Sequence, residues 1–210
     1  MDFNRDGWLD IYVANDYVTN DLIYINNHDG TFRNKIAEIF KHQASSTMGS
    51  DVADLDNDGR LDIFTTEMLP YYNKRKKLFL NGNNYANYIN NETFGYEYQY
   101  SRNMLQLNCG DNPETGLPVF ADVAFYTGTQ ETEWSWTPLL ADFDNDGNRD
   151  IFVTNGFPRD VTDHDFGAYR SSYNYLIPPM ELQEMIPQIK VPKFLFKNEG
   201  NLQFKDISKE

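Results

Sequence analysis

A single cysteine, Cys109, rules out any intrachain disulfide in this 210-residue chain, so loops must be stapled by other means. Histidine is scarce as well: His28, His42 and His164 do not fall at a zinc-binding spacing. Basic residues are few, with 18 Lys and Arg against 32 Asp and Glu for a net charge of −14. Phosphate backbones and anionic membrane surfaces both require a basic face, so nucleic acid is excluded as a partner and a membrane-surface role is disfavoured. No apolar run approaches the roughly 18–20 residues of a transmembrane helix, so no direct membrane insertion is expected. No Ser-His-Asp or Cys-His constellation stands out. Asn108-Cys109-Gly110 reads as a turn rather than as a nucleophile. The one basic cluster, Lys74-Arg75-Lys76-Lys77, reads as a solvated helix face, with a docking patch as the alternative.

What the chain does have is one nonapeptide written three times: Asp-x-(Asp/Asn)-x-Asp-Gly-x-x-Asp. The copies are Asp2, Asn4, Asp6, Gly7, Asp10; Asp54, Asp56, Asp58, Gly59, Asp62; and Asp142, Asp144, Asp146, Gly147, Asp150. Oxygen-bearing side chains at alternate positions, with a glycine at the sixth, suit a short loop wrapped around a hard cation. Ca²⁺ takes about six to eight oxygen ligands. The side chains at positions one, three, five and nine are the expected ligands, with the carbonyls of Trp8, Arg60 and Asn148 at position seven adding another. An EF-hand would need a Glu at position twelve and flanking helices. Position twelve is instead Val13, Thr65 or Val153, and each loop runs into a β-branched and aromatic stretch that reads as a strand. The competing reading is a polar turn, but a turn does not need up to four carboxylates side by side, which repel without a cation among them. The loops hold three, four and four carboxylates, so three bound Ca²⁺ would bring the net charge from −14 to −8.

The strands organise into a repeat. Met48–Ala53 leads into the second loop and Leu61–Thr66 leaves it; Trp134–Ala141 and Ile151–Thr154 do the same for the third. Hairpins follow at Leu22–Phe32, at Met104–Val123 and at Phe194–Phe204, each with alternating hydrophobicity and an Asn/Gly turn. Strand, calcium loop, strand, connection, strand, turn, strand is the unit of a β-propeller blade. The fold class is therefore all-β, a partial propeller of about three blades with two partly helical insertions. The units are residues 1–46 with loop 2–10, residues 47–127 with loop 54–62, and residues 128–210 with loop 142–150. Because the chain opens inside a blade, the rest of a longer propeller chain is expected, and the absence of a visible signal peptide excludes nothing.

Tyr71–Ser101 interrupts the second blade and is rich in Asn and Tyr: Asn81, Asn83, Asn84, Tyr85, Asn87, Tyr88, Asn90, Asn91, Tyr96, Tyr98 and Tyr100. Pro158–Pro192 interrupts the third, with Asp160, Asp163, Asp165, Tyr169, Arg170, Tyr173 and Tyr175, then a short helical stretch around Met180–Ile186. Tyr and Asn supply flat faces and amide hydrogen bonds that suit a sugar or protein partner; the alternative is that these aromatics pack the insertions onto the blades. Trp134 and Trp136 alternate on one strand with Ser135 opposite, and read as core between blades.

The three loops, typified by Asp54-Leu55-Asp56-Asn57-Asp58-Gly59-Arg60-Leu61-Asp62-Ile63, resemble the calcium loops of FG-GAP/VCBS repeats, the blades of integrin-α-type β-propellers. Asn26–Phe32 is similar to a hairpin of the bacterial branch, and Trp134–Gly156 resembles bacterial VCBS-repeat proteins of the kind that often precede an ASPIC/UnbV domain. The resemblance covers the chain outside the two insertions. It implies a seven-bladed propeller, secreted or displayed on the cell surface, whose calcium loops are structural. Asn4 stands where the usual residue is Asp, which removes a charge from the first loop.

The function expected is non-enzymatic: a calcium-stabilised adhesion or ligand-binding module, extracellular or at the cell surface (outer membrane or periplasm in a bacterium), engaging a protein or glycan through its loops. One alternative is the propeller part of a carbohydrate-active lyase or hydrolase, for which Glu133, Asp160, Asp163 and Asp165 are the carboxylates not committed to metal. A structural spacer is the other.

Overall fold

The computed structural model describes residues 1–17, 19–79, 85–157 and 159–208. Asn81, Asn83 and Asn84 of the first insertion lie outside the described residues, as do the side chain of Asn87 and Pro158 at the start of the second insertion. Blade 1 comprises β1 (Ile11–Val13), β2 (Leu22–Asn26) and β3 (Phe32–Asn34) in the order β1-β2-β3. A helical turn, α1 (Ile36–Ile39), and the short β4 (Gln43–Ala44) lead out of it. Blade 2 is built from β5 (Gly49–Ala53) and β6 (Asp62–Thr66). β7 (Met68–Leu69) follows, and the first insertion then carries α2 (Asn73–Leu78), α3 (Tyr85–Phe94) and β8 (Gln99–Tyr100). β9 (Met104–Asp111) and β10 (Pro118–Asp122) complete the sheet in the order β5-β6-β9-β10, and α4 (Ala124–Thr127) leads on. Blade 3 has β11 (Glu133–Ala141) and β12 (Asp150–Asn155), an insertion with α5 (His164–Tyr173) and α6 (Pro179–Glu184), then β13 (Phe194–Asn198) and β14 (Phe204–Asp206). All strand pairs within the three blades are antiparallel. The chain is a partial β-propeller.

Two pairings run outside the repeat. β7 joins the edge of blade 3, with Glu133 opposite Leu69 and Trp134 opposite Met68, so the segment leading from β6 into the first insertion ties blade 2 to blade 3. β4 and β8 form a parallel two-stranded ribbon that ties the same insertion back to blade 1.

The central blade shows how neighbours share a core. Successive strand residues face opposite sides of a sheet, and every residue of β6 is buried. Ile63 faces blade 1, in a cluster with Phe3, Ile23, Ile25, Phe40 and Phe120. Phe64 faces blade 3, in a cluster with Leu55, Leu105, Ile151, Val153, Phe194 and Phe196. The outer blades bury only one face: along β12, Ile151 and Val153 are buried while Phe152 and Thr154 are half-exposed. The first strands of blades 2 and 3 converge closely. A Cβ at Gly49 would stand 2.3 Å from the Trp136 carbonyl oxygen, and the Leu140 N–H donates to Asp51 Oδ2 at 2.8 Å.

Three expectations are corrected by the structure. Cys109 lies in the body of β9 with its side chain exposed, because that strand runs on through Asp111 before the turn. The tryptophans are not the inter-blade core: Ser135 is fully buried, bonded to Thr132, while Trp136 is 43% exposed. A left-handed Glu133 and a register shift between Ser135 and Pro138 turn this end of β11, so Trp134 packs under the insertions against Phe79 and Phe157. The basic cluster does form helix α2, but Arg75 is buried rather than solvated. Among the described residues, no helix is long and apolar enough to cross a membrane.

Candidate metal centres

In an antiparallel blade the first loop and the final hairpin turn emerge at one end, and the middle connection at the other. All three Asp-rich loops therefore share one face with the hairpins at 27–31, 112–117 and 199–203, while both insertions lie on the opposite face.

Each loop folds the same way. The fourth residue is left-handed (Arg5 at φ 54°, Asn57 at 61°, Asn145 at 60°), and so is the glycine at the sixth (89°, 84° and 92°), where a Cβ would be strained. This curl points backbone N–H groups inward at carboxylates. The fifth residue's N–H donates to Oδ1 of the first Asp at 3.1 Å in all three loops. The glycine N–H donates to its Oδ2 at 3.0, 2.9 and 3.0 Å. The seventh residue, Trp8, Arg60 or Asn148, donates its N–H to Oδ1 of the fifth Asp at 2.8, 2.8 and 2.9 Å. The first and fifth carboxylates are thus oriented by their own loop.

Asp54, Asp56 and Asp58 each bring a carboxylate oxygen within 4.8 Å of the others, and Asp142, Asp144 and Asp146 do likewise. Burial and then the charges of Asp58 and Asp54 raise the Asp56 carboxyl above its ordinary value, the repulsion a cation would relieve. Three convergent hard oxygens fit Ca²⁺ in the second and third loops. In the first loop, Asn4 Nδ2 donates to Asp6 Oδ2 at 2.9 Å and His28 Nε2 contacts the same oxygen at 2.8 Å, beneath a Trp8–His28 stack. Arg60 pairs with Asp58, and Lys197 with Asp144 and Asp146, so each fifth-position Asp has a basic side chain beside it.

The ninth-position residues do not join those groups. Asp10, Asp62 and Asp150 are buried, at 3%, 0% and 3% exposure. Their Oδ2 atoms accept the second residue's N–H (Phe3, Leu55, Phe143) at 3.0, 2.9 and 3.2 Å. Their Oδ1 atoms accept the N–H of Asn26, Asn108 and Asn198 at 3.0, 2.8 and 2.8 Å. Burial pushes the Asp62 carboxyl up to about 7. In this geometry the ninth Asp closes the loop onto the third strand of its own blade.

In the sequence those asparagines read only as turn formers, not as site residues. Each Oδ1 accepts the N–H two residues on (His28, Gly110, Gly200) at 2.9, 3.0 and 3.0 Å. In blades 2 and 3 the amide then crosses to the preceding blade: Asn108 Nδ2 donates to the Phe3 carbonyl at 3.1 Å and Asn198 Nδ2 to the Leu55 carbonyl at 2.8 Å. The recurrence of Asn-x-Gly at Asn108 and Asn198 was the available signal. Asn198 also donates to Arg149 O at 3.0 Å and is fully buried. Asn198→Ala is therefore expected to cost about 2 kcal/mol, since it orphans buried backbone groups. Asn26→Ala, whose amide reaches only Leu9 O within its own blade, should cost less. Urea midpoints of the two variants check this.

Residues 2–65 match a family model described as an FG-GAP-like repeat. The chain carries an FG-GAP-like repeat. The match starts at the first Asp of the first loop and ends within β6, so it spans two loops and the junction between blades 1 and 2. No curated protein matches the chain. Outside the matched stretch, the third loop repeats the hydrogen bonds of the FG-GAP-like loops bond for bond.

The remaining carboxylates are held elsewhere. Glu133 and Asp160 are buried beside Arg75. Asp163 Oδ1 accepts the Phe166 N–H at 2.7 Å as the cap of α5, and His164 and Asp165 are exposed in its first turn.

Proposed function

We propose that this chain is a calcium-stabilised FG-GAP-type propeller module that works outside the cytoplasm as a non-catalytic binder of a protein or glycan. The observation that carries this reading is the pair of three-carboxylate groups, held in one loop geometry by backbone N–H donors. Asp54, Asp56, Asp58, Asp142, Asp144 and Asp146 would hold the ion, with Asp2, Asn4 and Asp6 forming a weaker first site that has lost one charge. Bound Ca²⁺ supplies charge neutralisation and cross-links the loop. Extracellular calcium fills sites of roughly 10⁻⁴–10⁻³ M affinity, whereas cytosolic calcium does not. Non-catalytic use is supported by the placement of Glu133 and Asp160 in an ion-paired cluster and of Asp163 in a helix cap.

The outer face of blade 3 supports a further repeat as one partner. Leu55, the second residue of loop 2, is 1% exposed because blade 3 covers it, and Phe3 is 1% exposed under blade 2. Their counterpart Phe143 is 44% exposed and packs edge-on against Phe152. A blade of the same kind would cover this pair and place an asparagine at the Phe143 carbonyl.

Calorimetric Ca²⁺ titration, with thermal unfolding followed in calcium and in EDTA, tests the calcium reading. Two to three sites are expected. At a free calcium about twenty times Kd, each adds about 1.8 kcal/mol of stability that EDTA removes. Absence of binding, with melting unchanged by EDTA, would sink it.

A further inference from the structure

On the face opposite the metal loops, the first insertion exposes a run of tyrosines. Tyr85, Tyr88 and Tyr98 are 77%, 38% and 41% exposed. Their rings are nearly parallel: Tyr85 and Tyr88 at 18° with centroids 6.5 Å apart, Tyr88 and Tyr98 at 16° and 5.6 Å. Parallel rings in van der Waals contact are separated by about 3.5 Å, so at that separation these centroids place each ring roughly 4–5.5 Å to the side of the next. The result is a stepped aromatic strip, each ring leaving part of its face uncovered. One ring of the strip is anchored before binding: the Tyr98 hydroxyl donates to Glu92 Oε1 at 3.3 Å. A ring anchored before binding loses little entropy when a ligand settles on it.

A surface pocket lies two residues further along the chain from Tyr98. Tyr100 follows Tyr98 by two residues on the same extended run, and lines a cavity of about 360 Å³ with Leu69, Ser101, Arg102 and Phe125. That volume lies at the small end of the range for small-molecule pockets. Arg102 is 9% exposed and stands 4.5 Å from the centroid of the Phe125 ring, which is itself 65% exposed. The guanidinium is balanced by Asp122 at 2.5 Å, with His42 also on that carboxylate at 2.9 Å. The cavity thus offers aromatic walls and a polar floor without net charge.

We propose that the Tyr85–Tyr88–Tyr98 strip and the cavity behind Tyr100 form one binding site for a neutral oligosaccharide. Successive sugar rings lie on the tyrosine faces and a terminal ring enters the cavity. Flat aromatic faces complement the C–H faces of pyranoses, while the tyrosine hydroxyls and Glu92, which holds the Tyr98 hydroxyl, supply donors and acceptors for sugar hydroxyls. Charge selects against uronic or sulfated chains, because Glu92 is on the strip and the chain carries a net charge of −14. The proposal rests on the reading of this module as a non-catalytic binder, and gives that reading a site and a ligand class.

The test is calorimetry of the full chain in calcium with cellohexaose, maltohexaose and mannohexaose, and with polygalacturonate as the anionic counterpart. At least one neutral hexaose is expected to bind, and polygalacturonate is not. Tyr88→Ala and Tyr98→Ala should each weaken binding about tenfold or more, as for a central aromatic contact. Tyr98→Phe, which keeps the ring face, should retain most of it. Thermal melts in calcium and EDTA run on the same variants separate lost binding from lost folding. No binding of any neutral hexaose at about 1 mM would overturn the proposal. So would binding that survives Tyr88→Ala, or capture by the strip of a decaproline peptide instead of sugar. EDTA-insensitive melting with hexaose binding intact would count against the calcium reading alone.

Discussion

Arg75→Ala is expected to destabilise the chain by about 3–5 kcal/mol, because it removes one partner from a buried charge cluster. Arg75 is 8% exposed, Glu133 2% and Asp160 4%. The guanidinium pairs with Asp160 through Nη1, lies 3.4 Å from Glu133 Oε2 through Nε, and reaches Thr162 Oγ1 at 3.4 Å. The Phe79 and Phe157 rings flank it at 5.3 and 5.9 Å. One positive charge thus serves two carboxylates. Burial raises the Glu133 carboxyl above its ordinary value although the Arg75 charge works against that shift. Without the guanidinium, two carboxylates would share a dry site, and at least one would have to take up a proton or drag the site open. The damage would not stay local. Arg75 belongs to the first insertion, Asp160 to the second and Glu133 to the first strand of blade 3, so the cluster joins both insertions to the propeller alongside the β4–β8 pairing. Urea unfolding of Arg75→Ala against wild type decides the matter, and a loss below about 1 kcal/mol would mean that the cluster is solvated and carries no such role. The double variant Glu133→Gln with Asp160→Asn should recover much of the stability lost by Arg75→Ala, since it removes the orphaned charge. It should recover none if the loss came from packing alone.

The repeat was legible because its two periodicities are strong. Alternation along β2, β12 and β13 marks buried faces, and the spacing of the Asp-rich loops sets where each blade begins. What was not legible came from contacts between segments far apart in sequence. Nothing local in Lys74–Lys77 distinguishes Arg75 from its neighbours; only the arrival of Glu133 and Asp160 buries it. The Trp134/Trp136 face was misread because alternation presumes a regular strand, and a left-handed Glu133 with a register shift breaks that regularity at the point where the insertions land. Helices α3 and α5 went unread because their Asn-, Tyr- and Ser-rich sequences lack an apolar stripe. At the metal loops, residue type alone does not separate the carboxylates that converge (Asp54, Asp56 and Asp58; Asp142, Asp144 and Asp146) from the ninth Asp, whose oxygens accept backbone N–H groups.

Raising the pH from about 5 to about 8 is expected to lower the unfolding free energy by about 4 kcal/mol through one residue, Glu67. Glu67 is 1% exposed at the end of β6 away from the metal loop, and burial pushes its carboxyl from 4.5 up to about 8. Hydrogen bonds from the Met68 and Ser46 backbone and from Ser101 pull the other way without reversing the shift, and the charge of Asp16 adds to it. The sign follows from proton counting. Between the unfolded and folded values, the folded chain keeps a proton on Glu67 that the unfolded chain has released. Stability from this group is fully present below the unfolded value and falls by about 1.4 kcal/mol per pH unit until the folded value is passed. Asp122 does not blur this window: burial alone would raise it, but His42 and Arg102 bring its carboxyl down to about 2, so it titrates below the range. Asp62, at about 7, does fall inside the window, which is why the comparison must be between wild type and Glu67→Gln rather than between two pH values of wild type. The glutamine variant keeps the volume and cannot ionise, so its stability should decline less steeply and overtake wild type towards about pH 8. Parallel slopes in urea titrations of the two proteins would show that Glu67 is solvated in the folded chain. Because Glu67 also anchors through its N–H to Asn103 Oδ1 at 2.8 Å, and Asn103 in turn donates to Thr129 and Thr132, ionisation would act on the junction of blades 2 and 3 first. Hydrogen exchange at Thr129 and Met68 should accelerate at high pH ahead of exchange in β2.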